Sequence, residues 1–586
     1  MVDKNCSLLF FLLTHFLTIV LLFGHEKTHN YCMNYSNASV FMTVNNVCLN
    51  KPQWHLFDIS QWIFSTSILK THFPIDTDKK NFVREVRNVL FSEIKPEPLK
   101  RNPKLAAVSD QVLSDILNLD PDRALAQTDF LKFANGDLNV RNQILFAHRY
   151  GGHQFSHWAG QLGDGRAIML GEYVNHLGER WELQLKGSGK TPYSRRGDGK
   201  AVIRSSVREF LCSEAMFALG IPTTRAASLV VSDDPVIRDQ FYNGNIKKER
   251  AAVVLRLAPS WFRIGSLEIL ATHNEIDNLR SLVDFIIVNY FPFINASDPD
   301  RVLAFYQEIV EKTARMIALW QSVGFTHGVC NTDNFSILSL TIDYGPFGFM
   351  DNYDPQFVPN TSDDEGLYKY ERQPDVGWFN LNKLRIALLP LMNKKQKKQA
   401  DIILDGYSGI FKSKYMEIFL KKLGFVGMTT YTEDDEQFLA VLLKIMEDTK
   451  ADFTMTFREL SEISLKDLNK YIKDTSLFPE YWTLPDLVNH SWFESWLNLY
   501  KQKLEDANIS EIQRQSIMKK TNPRYILRNW IAQAVIEQTQ KNNFEDIHSV
   551  LNILTNPFTY NKVAEQRGLA GPPPDWAGKL RVSCSS

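Results

Sequence analysis

The stretch 324–351, GFTHGVCNTDNFSILSLTIDYGPFGFMD, sets the tightest limits on what this chain can fold into. It opens on a His-Gly turn at His327, then places Asp333 directly beside Asn334. The apolar run 335–342 carries the chain to a second carboxylate, Asp343, at the head of Asp-Tyr-Gly. Two acids and an amide at the ends of a short hairpin meet one chemical requirement well. One carboxylate can take a proton from a hydroxyl while the amide oxygen and the other carboxylate hold a hard divalent cation. Taken alone, the same residues also suit an Asx-rich turn between two strands, because Asn and Asp favour turns for backbone reasons.

The rest of the chain decides between these readings. From Asn81 onward the composition is that of an ordinary soluble enzyme. Ser109 is placed to cap a short helix in SDQVLSDILNL. In HRYGGHQFSHWAGQLGDGRAIMLGEY, His153 and His157 stand four apart, a spacing that would put two metal ligands on one helical face. The zinc signature H-E-x-x-H needs Glu where Gln154 stands, so packed or hydrogen-bonding histidines are the better reading. Gly163, Gly165 and Arg166 form a Gly-rich turn before a strand; glycines let backbone N–H groups approach phosphates, and an arginine adds a charged fork. WELQLK alternates as a strand and ends on Lys186. Gly189-Lys190-Thr191 imitates the end of a phosphate-binding P-loop, but Gln184 occupies the position of that motif's first glycine.

Asp198 and Gly199 sit in the polar loop SRRGDGK, and the helix that follows carries Glu209, 23 residues after Lys186 by position. A strand lysine and a helix glutamate at this spacing suit the ion pair that orients the phosphate-binding lysine of a kinase small lobe. The buried-looking strand AAVVLRLAPSWFRIG holds Arg256 and Arg263, a phosphate clamp or a pair of structural salt bridges. An amphipathic helix over 302–322 feeds into the opening stretch. Helix, turn with an acid, hairpin and second acid follow the order of a kinase-like large lobe, with the kinase motif H-R-D-x-x-x-x-N and D-F-G rearranged. The segment 352–384 is polar and aromatic, suited to an activation loop or a substrate platform, and the chain to about 540 is mostly helical.

Composition excludes some classes. Lys plus Arg number 66 and Asp plus Glu 67, so the charge balance gives no footprint for nucleic acid or an acidic membrane surface. Six cysteines, with no C-x-x-C spacing, argue against a disulfide scaffold or a structural zinc site. Residues 8–24 are an apolar run of signal-peptide or short-anchor length, which leaves open a secretory signal or membrane anchor, atypical organelle targeting, and an N-terminus not native to the folded protein. The Pro-rich end, GPPPDWAGKLRVSCSS, reads as mobile and carries Cys584, an incidental or redox thiol.

Together GHQFSHWAGQLGDGRA, LQLKGSGKTPYSRRGDGKAVIRSSVREFL, RLAPSWFRIG, HGVCNTDN with DYGPFGFMD, and NPRYILRNW resemble the selenoprotein O family, also called the YdiU family, of kinase-like protein adenylyltransferases. The resemblance covers roughly residues 80–586. It implies an α+β, protein-kinase-like two-lobed fold, with a small β-rich lobe, a mostly helical large lobe and a C-terminal helical extension. The expected divisions are a leader 1–80, the extension and small lobe 81–265, the large lobe 266–540 and a tail 541–586. It also implies ATP bound in reversed orientation and transfer of AMP to Ser, Thr or Tyr hydroxyls of proteins. A γ-phosphate-transferring kinase and an inactive pseudokinase scaffold are the alternatives.

Carried over by residue, Gly163, Gly165 and Arg166 would line the nucleotide loop, and Asp198 and Gly199 would contact the flipped nucleotide. Lys186, oriented by Glu209, would grip the phosphates with Arg256 and Arg263. Asp333 would be the base, and Asn334 and Asp343 would hold Mg²⁺ or Mn²⁺, Asp343 also touching ATP. The resemblance further implies a monomer, protein substrates, no nucleic-acid partner and a mitochondrial location. Cys330 and Phe335 stand where relatives usually carry methionine. Pro359 replaces a cysteine that many bacterial relatives can pair with one near the C-terminus, so that disulfide cannot form here. Cys584 stands where vertebrate members carry selenocysteine.

Overall fold

The structure, a computed structural model, describes residues 56–427 and 430–583; the apolar run 8–24 and Cys584 lie outside the described residues. The frame is a largely antiparallel nine-stranded sheet. Its order is Ile75–Asp76, Phe91–Glu93, Phe146–His148, Ala167–Val174, Arg180–Lys186, Ile246–Ala258, Arg225–Asp239 and Lys104–Val108, with Ala201–Val202 pairing onto Ile246–Ala258. Strand alternation gives its central strands two faces. Leu183, Leu185, Val253 and Leu255 point to an outer core with Trp62, Phe64 and Phe133. Val254 and Ala258 point to the inner core, shared with the helices.

The helix Ile203–Ala218 covers that inner face with Val207, Phe210, Leu211 and Ala215, at the i, i+3, i+4, i+8 spacing of one helical stripe. It ends where Gly220 takes a left-handed φ of +77°, a conformation glycine adopts without a Cβ penalty. The helical lobe is built on Arg301–Ser322, whose Val302, Phe305, Ile309, Ala314 and Ile317 are buried against Gln373–Leu388 and Tyr407–Lys422. This helix ends at Gly324, at φ +68°, where a Cβ would come within 2.8 Å of the Phe453 ring. A separate core further along the chain stacks Phe438, Trp496 and Tyr500, with ring centroids 5.4 and 5.2 Å apart in sequence. A β-sheet lobe and a helical lobe, the kinase-like arrangement, are therefore both present.

Several boundaries differ from the sequence reading. Folded structure begins before residue 81: Trp62 and Phe64 are buried, and Ile75–Asp76 pairs in parallel with Phe91 and Ser92. The expected helix after Ser109 is a π-helical turn, Val112–Ile116; Ser109 Oγ does accept from Val112 N at 3.4 Å, as a cap would. His153 and His157 lie on the two strands of a hairpin, Gly151–Gln154 and His157–Gln161, and do not share a helical face. Beyond residue 540, the helix Glu545–Leu554 packs on Ile203–Ala218. The tail is held in place up to Ser583: Val582 bridges to Asn360, its carbonyl accepts from Thr361 N at 2.9 Å, and Ser583 Oγ donates to the Gln240 carbonyl. No described helix is long and apolar enough to cross a membrane.

Candidate active site

A cavity of about 870 Å³ is lined by Gly163, Gly165, Arg166, Lys186, Asp198, Gly199, Glu209, Arg256, Asp333, Asn334 and Asp343. Strand pairing brings the charged groups to it. Glu182, Gln184 and Lys186 alternate onto the inner face of Arg180–Lys186, and the neighbouring strand sets Arg256 directly opposite Gln184. Gln184 Oε1 accepts from Arg256 Nε at 2.9 Å and Nη2 at 2.6 Å, so the guanidinium is fixed before any substrate is considered. The Trp261 ring lies 4.3 Å from the same guanidinium.

Lys186 Nζ meets Glu209 Oε2 at 2.8 Å and Asp343 Oδ1 at 3.0 Å. Arg256 Nη1 bonds Glu209 Oε1 at 2.8 Å and Asp343 Oδ1 at 2.6 Å. Arg263 Nη1 reaches Asp343 Oδ2 at 2.7 Å and the Asp333 carbonyl at 2.8 Å. Arg263 is wholly buried behind the cavity wall with Tyr150 over it at 4.3 Å, and acts as a strut between the two acids. Three cations therefore converge on one carboxylate. Burial by itself would raise the Asp343 carboxyl, but Lys186, Arg256 and Arg263 hold it well below the usual carboxylate range. Asp343 also sits at φ +58°, uncommon for a residue other than glycine and a feature that concentrates at functional sites.

The acid beside Asn334 has the opposite environment. Asp333 is buried in the turn Thr332–Asn334, accepts from Gln154 Nε2 at 3.1 Å, and its Oδ1 is a buried atom with no hydrogen-bond partner. Burial pushes its carboxyl up to about 7, in the range suited to exchanging a proton near neutral pH. Asn334 donates through Nδ2 to the Val329 carbonyl at 3.0 Å, which leaves its amide oxygen as the remaining acceptor. His327 is packed, stacked on Trp320, with Nε2–H donating to the Ile342 carbonyl at 2.9 Å; it braces the hairpin leading to Asp343.

The loop residues are fixed by contacts of their own. Asp198 is held by Arg238 at 2.7 and 2.8 Å and caps Lys200 N at 2.9 Å. Gly199 cannot carry a side chain: at φ +73° its Cβ would fall 2.1 Å from the Gly189 carbonyl. Arg166 is half-buried in the cavity wall, within electrostatic reach of Glu209 and Asp343. Cys584 lies outside the described residues.

Three participants were passed over in the sequence. In the sequence Gln184 and Gln154 speak only against a P-loop and a zinc motif. Asp164, between the two loop glycines, accepts from Gln184 Nε2 at 2.9 Å and is pushed up to about 6 by burial. Strand alternation with Lys186 would have revealed Gln184; nothing local signals Gln154, which meets Asp333 only across the fold.

A β-sheet lobe and a helical lobe joined around a lysine–glutamate pair, clustered arginines and two acids define a kinase-like transferase. The family model described as "Protein adenylyltransferase SelO" matches residues 78–555. Among similar proteins, "Protein nucleotidyltransferase YdiU" of Azoarcus sp. is 41% identical over 520 residues, covering 88% of this chain and 97% of the relative. "Protein adenylyltransferase SelO-1, mitochondrial" of Danio rerio is 37% identical over 597 aligned residues, covering 85% of each. The chain belongs to the SelO family.

Proposed function

We propose that this protein transfers the adenylyl group of ATP to Ser, Thr or Tyr hydroxyls of other proteins. The observation that carries the reading is the convergence of Lys186, Arg256 and Arg263 on Asp343, with the unpartnered Oδ1 of Asp333 in the same cavity. A triphosphate entering the cavity competes with Asp343 for Lys186 and Arg256, which line it, so its charge is neutralised by groups already in place, with Arg263 bracing Asp343 from behind the wall. Glu209 and Gln184 hold Lys186 and Arg256 in that arrangement. As the acceptor oxygen bonds to the α-phosphorus, the bond from that phosphorus to the bridging oxygen breaks, pyrophosphate leaves, and the hydroxyl proton passes to Asp333.

The oxygen donors of Asn334 and Asp343 fit Mg²⁺, with Mn²⁺ an alternative. Bound there, the ion would supply further charge neutralisation at the phosphates. The names of the Azoarcus and Danio relatives support nucleotidyl transfer, and the Danio name supports a mitochondrial location for this chain.

Purified protein with Mg²⁺, ATP and an acceptor protein tests this by intact mass. A gain of about 329 Da on the acceptor is expected for AMP, and a gain of about 80 Da in its place means the γ-phosphate moves and overturns the reading. Asp333→Asn is expected to slow the transfer by roughly 10²–10⁴-fold.

A further inference from the structure

A second cavity, of about 210 Å³, lies on the other side of the hairpin that touches Asp333. Gln154 turns its amide onto Asp333, while His153 and Ser156 from the same hairpin line this cavity with Cys330, Tyr368, Val376 and Phe379. The hairpin is bound tightly to the catalytic turn. His153 N donates to Thr332 Oγ1 at 2.7 Å, and Phe155 N donates to Tyr368 Oη at 2.9 Å and to Asn331 Oδ1 at 3.3 Å. Gly152 has no room for a Cβ, which would stand 2.9 Å from Asp333 Cβ. At the hairpin tip Phe155 and Ser156 both take left-handed φ, +47° and +65°, although neither is glycine. Such strain persists only where surrounding contacts impose it, and here those contacts hold an exposed phenyl ring 5.1 Å from the Tyr368 ring beside the reacting acid.

We propose that this cavity receives one apolar side chain of the acceptor protein, from a residue close in sequence to the hydroxyl that is modified. The inference rests on the adenylyl-transfer reading and adds a recognition site to it. Size argues for a side chain: small-molecule pockets span about 300–1,000 Å³, more than this cavity offers. Proximity argues for the acceptor. Cys330 in the wall of this cavity and Asp333 in the wall of the first are three residues apart, so the two sites stand within about 11 Å, the reach of roughly three extended residues of a chain that crosses the hairpin tip. Its apolar lining is Leu367, Val376, the Phe379 and Tyr368 rings and Cys330, beside the polar His153, Ser156 and Asn380. Arg372 and Asp375 also line the cavity, both exposed and opposite in sign, and set no net preference for a charged side chain.

The test uses the full chain and a panel of fluorescent peptides, each with one central Ser, Thr or Tyr and a neighbouring position set to Ala, Leu, Phe, Asp or Lys. Binding is read by anisotropy, and AMP transfer to the same peptides by mass. Leu or Phe peptides are expected to bind roughly tenfold or more tightly than Ala, Asp or Lys peptides. Val376→Trp, which fills the cavity, is expected to remove that advantage while leaving ATP affinity unchanged. Phe379→Ala, which enlarges it without adding bulk, is expected to shift preference from Leu toward Phe and guards against misfolding of the first variant. Absence of peptide binding, equal binding across the panel, or an advantage untouched by both variants overturns the subsite. Peptide binding that follows these expectations with no AMP transfer by the wild-type protein sinks the transferase reading and leaves the apolar subsite intact.

Discussion

Of two buried charge networks built around arginines, one lines a cavity and the other is closed. In the first, Lys186, Arg256 and Arg263 crowd onto Asp343 with Glu209 behind them. In the second, Arg528 is clamped between Asp452 at 2.7 and 3.0 Å and Asp351 at 2.6 Å, and Asp452 Oδ1 also caps Met455 N at 2.8 Å. Both contain a wholly buried arginine bonded to carboxylate. They differ in balance and closure. The Arg528 network sets two acids against one cation and ties the end of the catalytic stretch to the helix Phe453–Glu462. The Asp343 network gathers cations in excess on one acid, opens to a cavity, and leaves Asp333 Oδ1 and Arg263 Nη2 without partners. A buried ion pair by itself is thus no sign of chemistry; unmatched charge facing accessible volume is.

The largest expected effect comes from removing the acid at the centre of the open network. Asp343→Asn leaves three cations facing a neutral amide and takes away a ligand of the proposed metal. AMP transfer measured by intact mass should fall by at least about 10³-fold. Binding of ATP, by contrast, should weaken far less, because the donors freed from Asp343 remain available to phosphate. A loss of binding as large as the loss of turnover would mean that Asp343 only supports the fold.

Arg528→Met sharpens the contrast from the other side. It strands Asp452 and Asp351 without their cation, and removing one partner of a buried pair costs about 3–5 kcal/mol. Chemical denaturation should show that loss, while turnover per folded molecule stays within about twofold, since Arg528 does not itself line the cavity. A drop in turnover beyond the folded fraction would join the two networks into one.

Much of the open network was legible in the sequence because its parts sit in short segments with distinct local signals. Lys186 closes an alternating strand, Glu209 lies on a clear helical stripe, and Asp333, Asn334 and Asp343 punctuate one hairpin. The two-lobed order followed from the same signals and from the long resemblance. What stayed hidden were partners that meet only through tertiary structure. Gln184 acts through a cross-strand register with Arg256, Gln154 reaches Asp333 from 179 positions away, and the convergence of cations on Asp343 depends on three separate elements. The pinning of the tail by Asn360, Thr361 and Gln240 was hidden in the same way, because Pro and Gly composition reports local freedom and not distant contacts.

Gln184→Leu probes that hidden layer without removing a charge. Arg256 loses the acceptor of its Nε and Nη2 groups, and Asp164 loses a donor. The expected outcome is a rise in KM for ATP of roughly 5–20-fold, corresponding to one or two weakened hydrogen bonds, with a smaller change in kcat. An unchanged KM would show that Glu209 and Asp343 orient Arg256 unaided.

A buried cation outside both networks completes the comparison, because burial alone and no carboxylate shifts it. Lys422 is 2% exposed, and its ammonium lies 4.2 and 5.6 Å from the centres of the Phe457 and Phe453 rings. Burial pulls its ammonium down to about 7, where the unfolded chain keeps it near 10.5. Between these values the unfolded state holds a proton that the folded state has released, so stability rises with pH across that window. Below it the folded protein carries the buried charge at full cost, offset in part by the rings. Lys422→Met should therefore raise the unfolding free energy at pH 6 by about 1–3 kcal/mol, and the difference from wild type should shrink as pH climbs toward 10. Urea denaturation at pH 6, 7, 8 and 9 reads both the sign and the slope; an advantage that stays constant with pH would assign the effect to packing of the Met side chain and leave the charge of Lys422 out of it.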